Sequence, residues 1–301
     1  MAAVPDDEAF LASQPLTNGD RRALRTLLNG PRGSGGAGAQ GAAAATRLMA
    51  HGITIKRAAQ QGPRRIYRYY GSGCVDASAQ LVFDALSNTG LVPQWDLLFK
   101  GAEYIAYERA GAVETARLRV VYGLPGVSRL VRDREFVLRA LRVALPSGAC
   151  VLCCRSVEPA AGDPAAGPMT IQGWMAASGY VVLPCDDSSC GVNMSLQVDP
   201  RGWIPSPIVN LSLEAIPLNL ARLRGVLARL PPDEAGQLGE PHAQQTRLAK
   251  PAAGGDDDGA AASGGATSSA SEGGGGSEWA PAREGWEDGE GESHKRARLE
   301  A

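Results

Sequence analysis

Three cysteines close together, Cys150, Cys153 and Cys154, have the types and spacing of a metal cluster. Structural zinc takes four nitrogen or sulfur ligands, usually as two closely spaced pairs. No second Cys-x-x-Cys pair follows at domain-scale distance, and His51 is the only histidine between residues 48 and 231. The three thiols therefore read as small buried hydrophobes. A single histidine also leaves no base for a Ser/His/Asp constellation. Gly33-Ser-Gly35-Gly-Ala-Gly38 matches a dinucleotide-binding spacing letter for letter. No strand leads into it and its surroundings are low in complexity, so it is set aside. What remains is the chemistry of binding: no enzyme and no cofactor is expected.

The charged and aromatic candidates each admit two readings. Arg117 and Arg119 lie two apart on an expected strand and share a face. Turned to a cavity, they hold a phosphate by charge-assisted hydrogen bonds; turned to water, they are surface charge. Burying them unpaired costs too much to be an option. Trp95 and Asp96 either line a cavity mouth or form a structural tryptophan with a helix-capping aspartate. Trp203 either packs on the last strand or meets a lipid interface, where tryptophan is favoured. Lys295-Arg-Ala-Arg298 is a short basic cluster of the kind read as nuclear import, and such four-residue matches are usually accidental.

The elements that must position these residues follow from composition and period. Residues 1–47 carry five basic and four acidic side chains, 48–231 nineteen and fourteen, and 232–301 six and fourteen. The nets are +1, +5 and −8. Residues 31–46 and 251–294 are too poor in apolar side chains to offset their ordering entropy. The expected organisation is a mostly disordered segment 1–47 with one short helix near residues 20–30, a single domain 48–231, and a disordered acidic tail 232–301. The domain shows no cluster of arginines interleaved with aromatics, which argues against nucleic acid. No run of 18 apolar residues exists, so no membrane-spanning helix is expected. The first residues have no basic-then-apolar leader, and a reducing, cytoplasmic setting with thiol cysteines follows.

Within the domain, alternation marks strands at 52–56, 65–70, 102–109, 114–122, 134–143, 149–157, 169–175, 179–184 and 192–198. A helix over 77–87 is expected behind Asp76 as its cap. A final helix should begin near Ser206 or Pro207 and show one stripe through Ile216, Leu220, Leu223, Leu227 and Leu230, kinked by Pro217. Strands, one helix, a long meander and a last long helix make an α+β pattern.

Five short motifs in this order resemble the START family, the steroidogenic-acute-regulatory-related lipid transfer domains. They are Gly52-Ile-Thr-Ile-Lys-Arg57, Gly73-Cys-Val-Asp-Ala-Ser-Ala-Gln-Leu-Val-Phe-Asp84, Gln94-Trp95-Asp96, Arg132-Asp-Arg-Glu-Phe-Val137 and Asp199-Pro-Arg-Gly-Trp-Ile-Pro205. The resemblance implies a helix-grip fold, in which a curved antiparallel sheet wraps a long C-terminal helix and leaves an internal lipid cavity. It also implies one lipid per chain, transferred between membranes or sensed by a monomer that touches the membrane surface transiently. The residues it points to are Trp95, Asp96, Arg117, Arg119, Phe136 and Trp203, with Leu220, Leu223 and Leu227 lining the cavity from the helix.

This chain departs from the family at the head-group positions. The acid of the buried acid–arginine pair held by sterol-binding members falls at Arg117, and the arginine at Ala140. Of an aromatic cage for choline, Phe136 can fill one position, while the others fall at Arg119 and Ala176. Asp96 is left as a partner for a cationic head. The two arginines favour a phospholipid over a sterol. The competing expectations are a START-like protein-interaction scaffold and, further off, a helix-grip hydrolase or cyclase.

Overall fold

The computed structural model describes residues 5–30, 46–58, 66–124, 131–164, 166–205, 218–236 and 238. Its elements are α1 (Pro5–Ser13), α2 (Asn18–Asn29), β1 (Thr46–Ala50), β2 (Ile53–Ala58), β3 (Tyr67–Val75), α3 (Ala79–Ser87), α4 (Val92–Trp95), β4 (Phe99–Ala110) and β5 (Val113–Tyr122). They continue with β6 (Asp133–Ala144), β7 (Cys150–Ser156), β8 (Thr170–Gln172), β9 (Trp174–Met175), β10 (Ser178–Pro184) and β11 (Cys190–Asp199). A helix α5 over 218–227 and a short α6 (Pro232–Ala235) follow.

One sheet runs in the order β1-β2-β3-β11-β10-β7-β6-β5-β4, antiparallel throughout this path. Its hairpins sit where turn residues allow them. Gly111 and Gly148 take positive φ of 63° and 82° in the β4–β5 and β6–β7 turns, a conformation that glycine adopts without steric cost.

Side-chain alternation decides what each face of the sheet meets. On β7, Val151 and Cys153 join a core with Leu24 and Leu27 of α2, while Cys150 joins a core with Leu220 and Leu223 of α5. The first face is covered by α1 and α2. The second is covered by α3, α4 and α5. Arg117 and Arg119, on odd positions of β5, share the face of Val113, which packs with α2. Leu118 and Val120 point the other way, into a core with Phe136 and Leu138.

Two glycines let α5 lie close on β3. A Cβ at Gly71 would sit 3.2 Å from Met194 and 3.8 Å from Leu220, and one at Gly73 would sit 2.8 Å from the Arg224 guanidinium. Arg224 in turn donates to the His51 carbonyl at 2.7 Å, tying α5 to the β1–β2 turn. Leu220, Leu223, Val226 and Leu227 are all buried against this floor.

Several elements differ from the sequence expectation. The N-terminal segment holds two helices rather than one. α2 is closed by a capping box in which Thr17 and Asp20 exchange side-chain-to-backbone hydrogen bonds. The α3 cap is Ser78, whose hydroxyl accepts from the Leu81 N–H at 3.3 Å, not Asp76; serine and aspartate are comparable caps, and sequence alone cannot rank two so close. The last helix is described from residue 218, so its expected start at 206–207, Ile216 and the kink at Pro217 lie outside the described residues.

Candidate functional site

Between the second face of the sheet and the helices lie two adjoining cavities. The first has a volume of about 230 Å³ and is lined by Phe136, Leu138, Met175, Met194, Leu196 and Val198, with Leu98, Leu124, Val131, Pro200 and Ile204 around its rim. Asn219 of α5, Arg132 and Arg134 also reach it. The second, of about 170 Å³, lies between α3–α4 and strands β4–β6, against Trp95, Phe99, Tyr104, Glu114 and Arg142. Asp96, Tyr122, Leu138, Cys154 and Tyr180 line both. Tyr122 anchors this partition edge-on between Phe99 and Phe136, at ring distances of 5.8 and 5.9 Å.

Asp96 caps the C-terminus of α4 and is not the N-terminal cap that its type suggested. Its carboxylate accepts the Leu98 N–H at 3.0 Å, a local turn that fixes the side chain. Burial raises its pKa, against the opposing pull of that N–H, the Asn219 side chain and the Arg222 charge. Trp95 is buried in the second cavity wall, edge-on to Tyr180 at 6.4 Å. Its indole N–H has no partner among the described residues.

Phe136 stands on the first cavity wall over Gly173, where any Cβ would overlap its ring. Arg134 is buried beside it. Its guanidinium donates to the carbonyls of Pro200 at 3.1 Å and Arg201 at 3.2 Å, and to that of Arg132. The start of β6 is thereby fastened to the Asp199–Gly202 turn, where Arg201 and Gly202 take positive φ of 48° and 63°. Burial lowers the Arg134 pKa, with only Asp133 acting in the opposite sense.

Other expected site residues fall elsewhere. Arg117 pairs with Asp163, its Nε donating at 3.0 Å. Arg119 donates to Glu135 at 2.7 Å and lies 3.6 Å from Glu103. Neither lines a cavity described here. The signal was in the strand: Leu118 and Val120 claim the apolar face, which leaves 117 and 119 to the other. Leu220, Leu223 and Leu227 are core residues against α3 and the sheet rather than members of either cavity wall. Trp203 is 75% exposed and stands outside the cavities. Cys153 and Cys154 point to opposite faces, and burial pushes the Cys154 thiol up to about 12.

The cross-strand register moves the acid–arginine comparison. Ala140 faces Ala116, not Arg117, and one pleat further Glu114 faces Arg142. Glu114 accepts from Arg142 at 3.0 Å, Arg142 also pairs with Asp84, and its guanidinium lies 4.5 Å from the Phe83 ring centre. Both partners line the second cavity. This pair, Arg134, Tyr122, Tyr180 and Asn219 were not singled out in the sequence, because their meeting depends on register and on α5.

Comparison with known proteins matches this geometry. The START domain model matches residues 54–226. Human StAR-related lipid transfer protein 5 is 18% identical, with 69% of this chain and 94% of that chain covered at a TM-score of 0.57. Human STARD10 is 17% identical, covering 80% and 86% at a TM-score of 0.52. The lipid transfer and protein localization domain of human StarD13 is 18% identical, covering 62% and 90% at 0.50. At these identities the likeness is one of fold. No curated protein matches the chain. The matched span exceeds half of the chain and contains the sheet from Thr54 of β2 onward together with nearly all of α5, so this chain belongs to the START domain family.

Proposed function

We propose that this protein binds a single lipid between the sheet and the C-terminal helix and carries it between membranes, as a binder and not a catalyst. The observation that supports this is the first cavity, whose wall is mostly apolar, with Phe136 and Leu138 of β6, Met175 of β9 and Met194, Leu196 and Val198 of β11 lining it. Each CH₂ transferred there from water is worth about 0.8 kcal/mol. Alone, about 230 Å³ falls below the roughly 300–1,000 Å³ of common ligand sites. A ligand that spans both cavities must turn Tyr122 or Tyr180 aside, so uptake is coupled to side-chain or helix movement.

The preference for a phospholipid now rests on different residues. Arg117 and Arg119 have carboxylate partners. The cavity itself offers two cations, Arg132 and Arg134, the latter bonded only to carbonyls among the described residues, and an acid, Asp96. Charges of both signs in a mostly apolar wall suit a zwitterionic phospholipid head group. Native mass spectrometry of the purified protein, with lipid extraction, tests the reading. One co-purifying phospholipid per chain is the expected result. A chain that stays empty after incubation with phospholipid and sterol vesicles overturns it, and a bound free sterol overturns the head-group assignment alone.

A further inference from the structure

No described residue of α5 lines the second cavity. Among the described residues, the one member of its wall beyond Tyr180 is Leu238, which lies past the end of α6. The local sequence brings it there. Pro231 and Pro232 end the run from α5, because proline has no N–H to continue a helix, and the single turn of α6 follows. Leu230 before that turn and Leu238 after it both pack on the core shared by α3, α4 and α5. Between them, α6 buries no side chain. The segment is a short strap fastened at its two ends.

Asn88 receives the far end. It is buried and forms the C-terminal cap of α3. Its side-chain oxygen accepts the N–H groups of Gly90 at 3.0 Å and Leu91 at 3.1 Å. Those two bonds settle which end of the amide donates, and its nitrogen donates to the Leu238 carbonyl at 3.5 Å, across 150 residues of chain. A bond that long is weak, so the apolar contact of the half-buried leucine carries most of the attachment.

We infer that Leu238 is the stopper of the second cavity: it seals that space from water and sets how far a lipid chain extends beyond Tyr122 and Tyr180. The sealing role stands on the wall alone, whereas the length-setting role rests on the lipid-binding reading. Glu114 and Arg142 in the same wall already pair with each other at 3.0 Å. An apolar stopper beside a satisfied ion pair suits the end of an acyl chain, with the head group left in the first cavity.

Ala116 lines the second cavity and not the first, so Ala116→Cys in the full chain reports on the seal. A small methanethiosulfonate labels it, and Cys153, buried on the α2 face, is the internal reference. Added to this reporter chain, Leu238→Asp should raise the labelling rate about tenfold, the factor for about 1.4 kcal/mol. Leu238→Met should stay near the parent rate, with Cys153 unchanged in both. Native mass spectrometry after incubation with vesicles of phosphatidylcholines of mixed saturated chain length reads the second role. Leu238→Ala should move the bound population to longer chains, about fourfold for each methylene accommodated, the factor for about 0.8 kcal/mol. Leu238→Trp should move it to shorter ones. Labelling that Leu238→Asp leaves unchanged, or that rises equally at Cys153, overturns the stopper. The parent's chain profile in both Leu238→Ala and Leu238→Trp overturns the length-setting role. A parent that takes up no lipid defeats the carrier reading and the length-setting role with it, while the labelling still decides the seal.

Discussion

At the scale of single residues, Asp96 is a carboxylate that lines both cavities. Its folded pKa is raised above 3.8 by burial, so the folded chain binds this proton more tightly than the unfolded chain. Ionisation therefore costs stability: the penalty is absent below the ordinary aspartate pKa, grows as pH rises towards the folded value, and is full above it. Asp96→Asn keeps an acceptor for the Leu98 N–H and removes the charge. At neutral pH its urea midpoint should exceed that of the parent, with the gap closing as pH falls below the ordinary aspartate range. A variant weaker than the parent at neutral pH would show that the attraction to Arg222 outweighs burial. Asp96 and Phe136, which line the first cavity, stood out in the sequence because each sits in a short motif whose neighbours also match. The sequence left Arg117 open between cavity and surface because its partner, Asp163, is 46 residues away, and no local pattern announces such a pair.

At the scale of elements, α2 is held by a carboxylate as much as by its leucines. Asp20 is fully buried, accepts from Arg139 at 3.0 Å and from Arg155 at 2.9 Å, and also closes the capping box with Thr17. Burial alone would raise its pKa, but the hydrogen bonds from Arg139, Thr17 and Arg155 outweigh it and the net shift is downward. The sign is opposite to that of Asp96: this stability is present above the ordinary aspartate pKa and is lost as pH falls through the lowered folded value. Asp20→Ala leaves two arginines facing a hole and removes the half of the capping box in which the Asp20 carboxylate accepts the Thr17 N–H, while the Thr17 hydroxyl keeps its bond from the residue-20 N–H. We expect a loss of about 3 kcal/mol in urea unfolding and, first of all, faster amide exchange in α2. Exchange that speeds up evenly over the whole sheet would mean that α2 does not open by itself. The strands were readable from period two, and the hairpins from their glycines. α1 was not, because over residues 6–13 only Asp7 and Leu11 are buried, too few for a stripe; β1 was not, because it begins where an alanine-rich stretch ends.

At the scale of the whole molecule, a cavity inside a marginally stable domain makes ligand and fold one equilibrium. A lipid that binds only the folded state stabilises it by about 2.7 kcal/mol at a free concentration one hundred times its Kd. For a domain of roughly 150–250 residues, each kcal/mol moves Tm by about 2–4 °C, so the lipid-loaded protein should melt roughly 5–11 °C above the delipidated one. Leu196→Trp directs extra volume into the first cavity from β11. In a close-packed core such a change costs about 1–3 kcal/mol; against an empty wall it should cost less, and the delipidated variant should melt near or above the delipidated parent. Its shift on adding lipid should shrink towards zero, because the ligand's space is gone. The two melting curves thus separate a cavity kept for a ligand from one that merely survives in the fold. A full lipid-induced shift in Leu196→Trp would place the bound lipid elsewhere on the protein, even though its sheet, helix and turn together enclose this space.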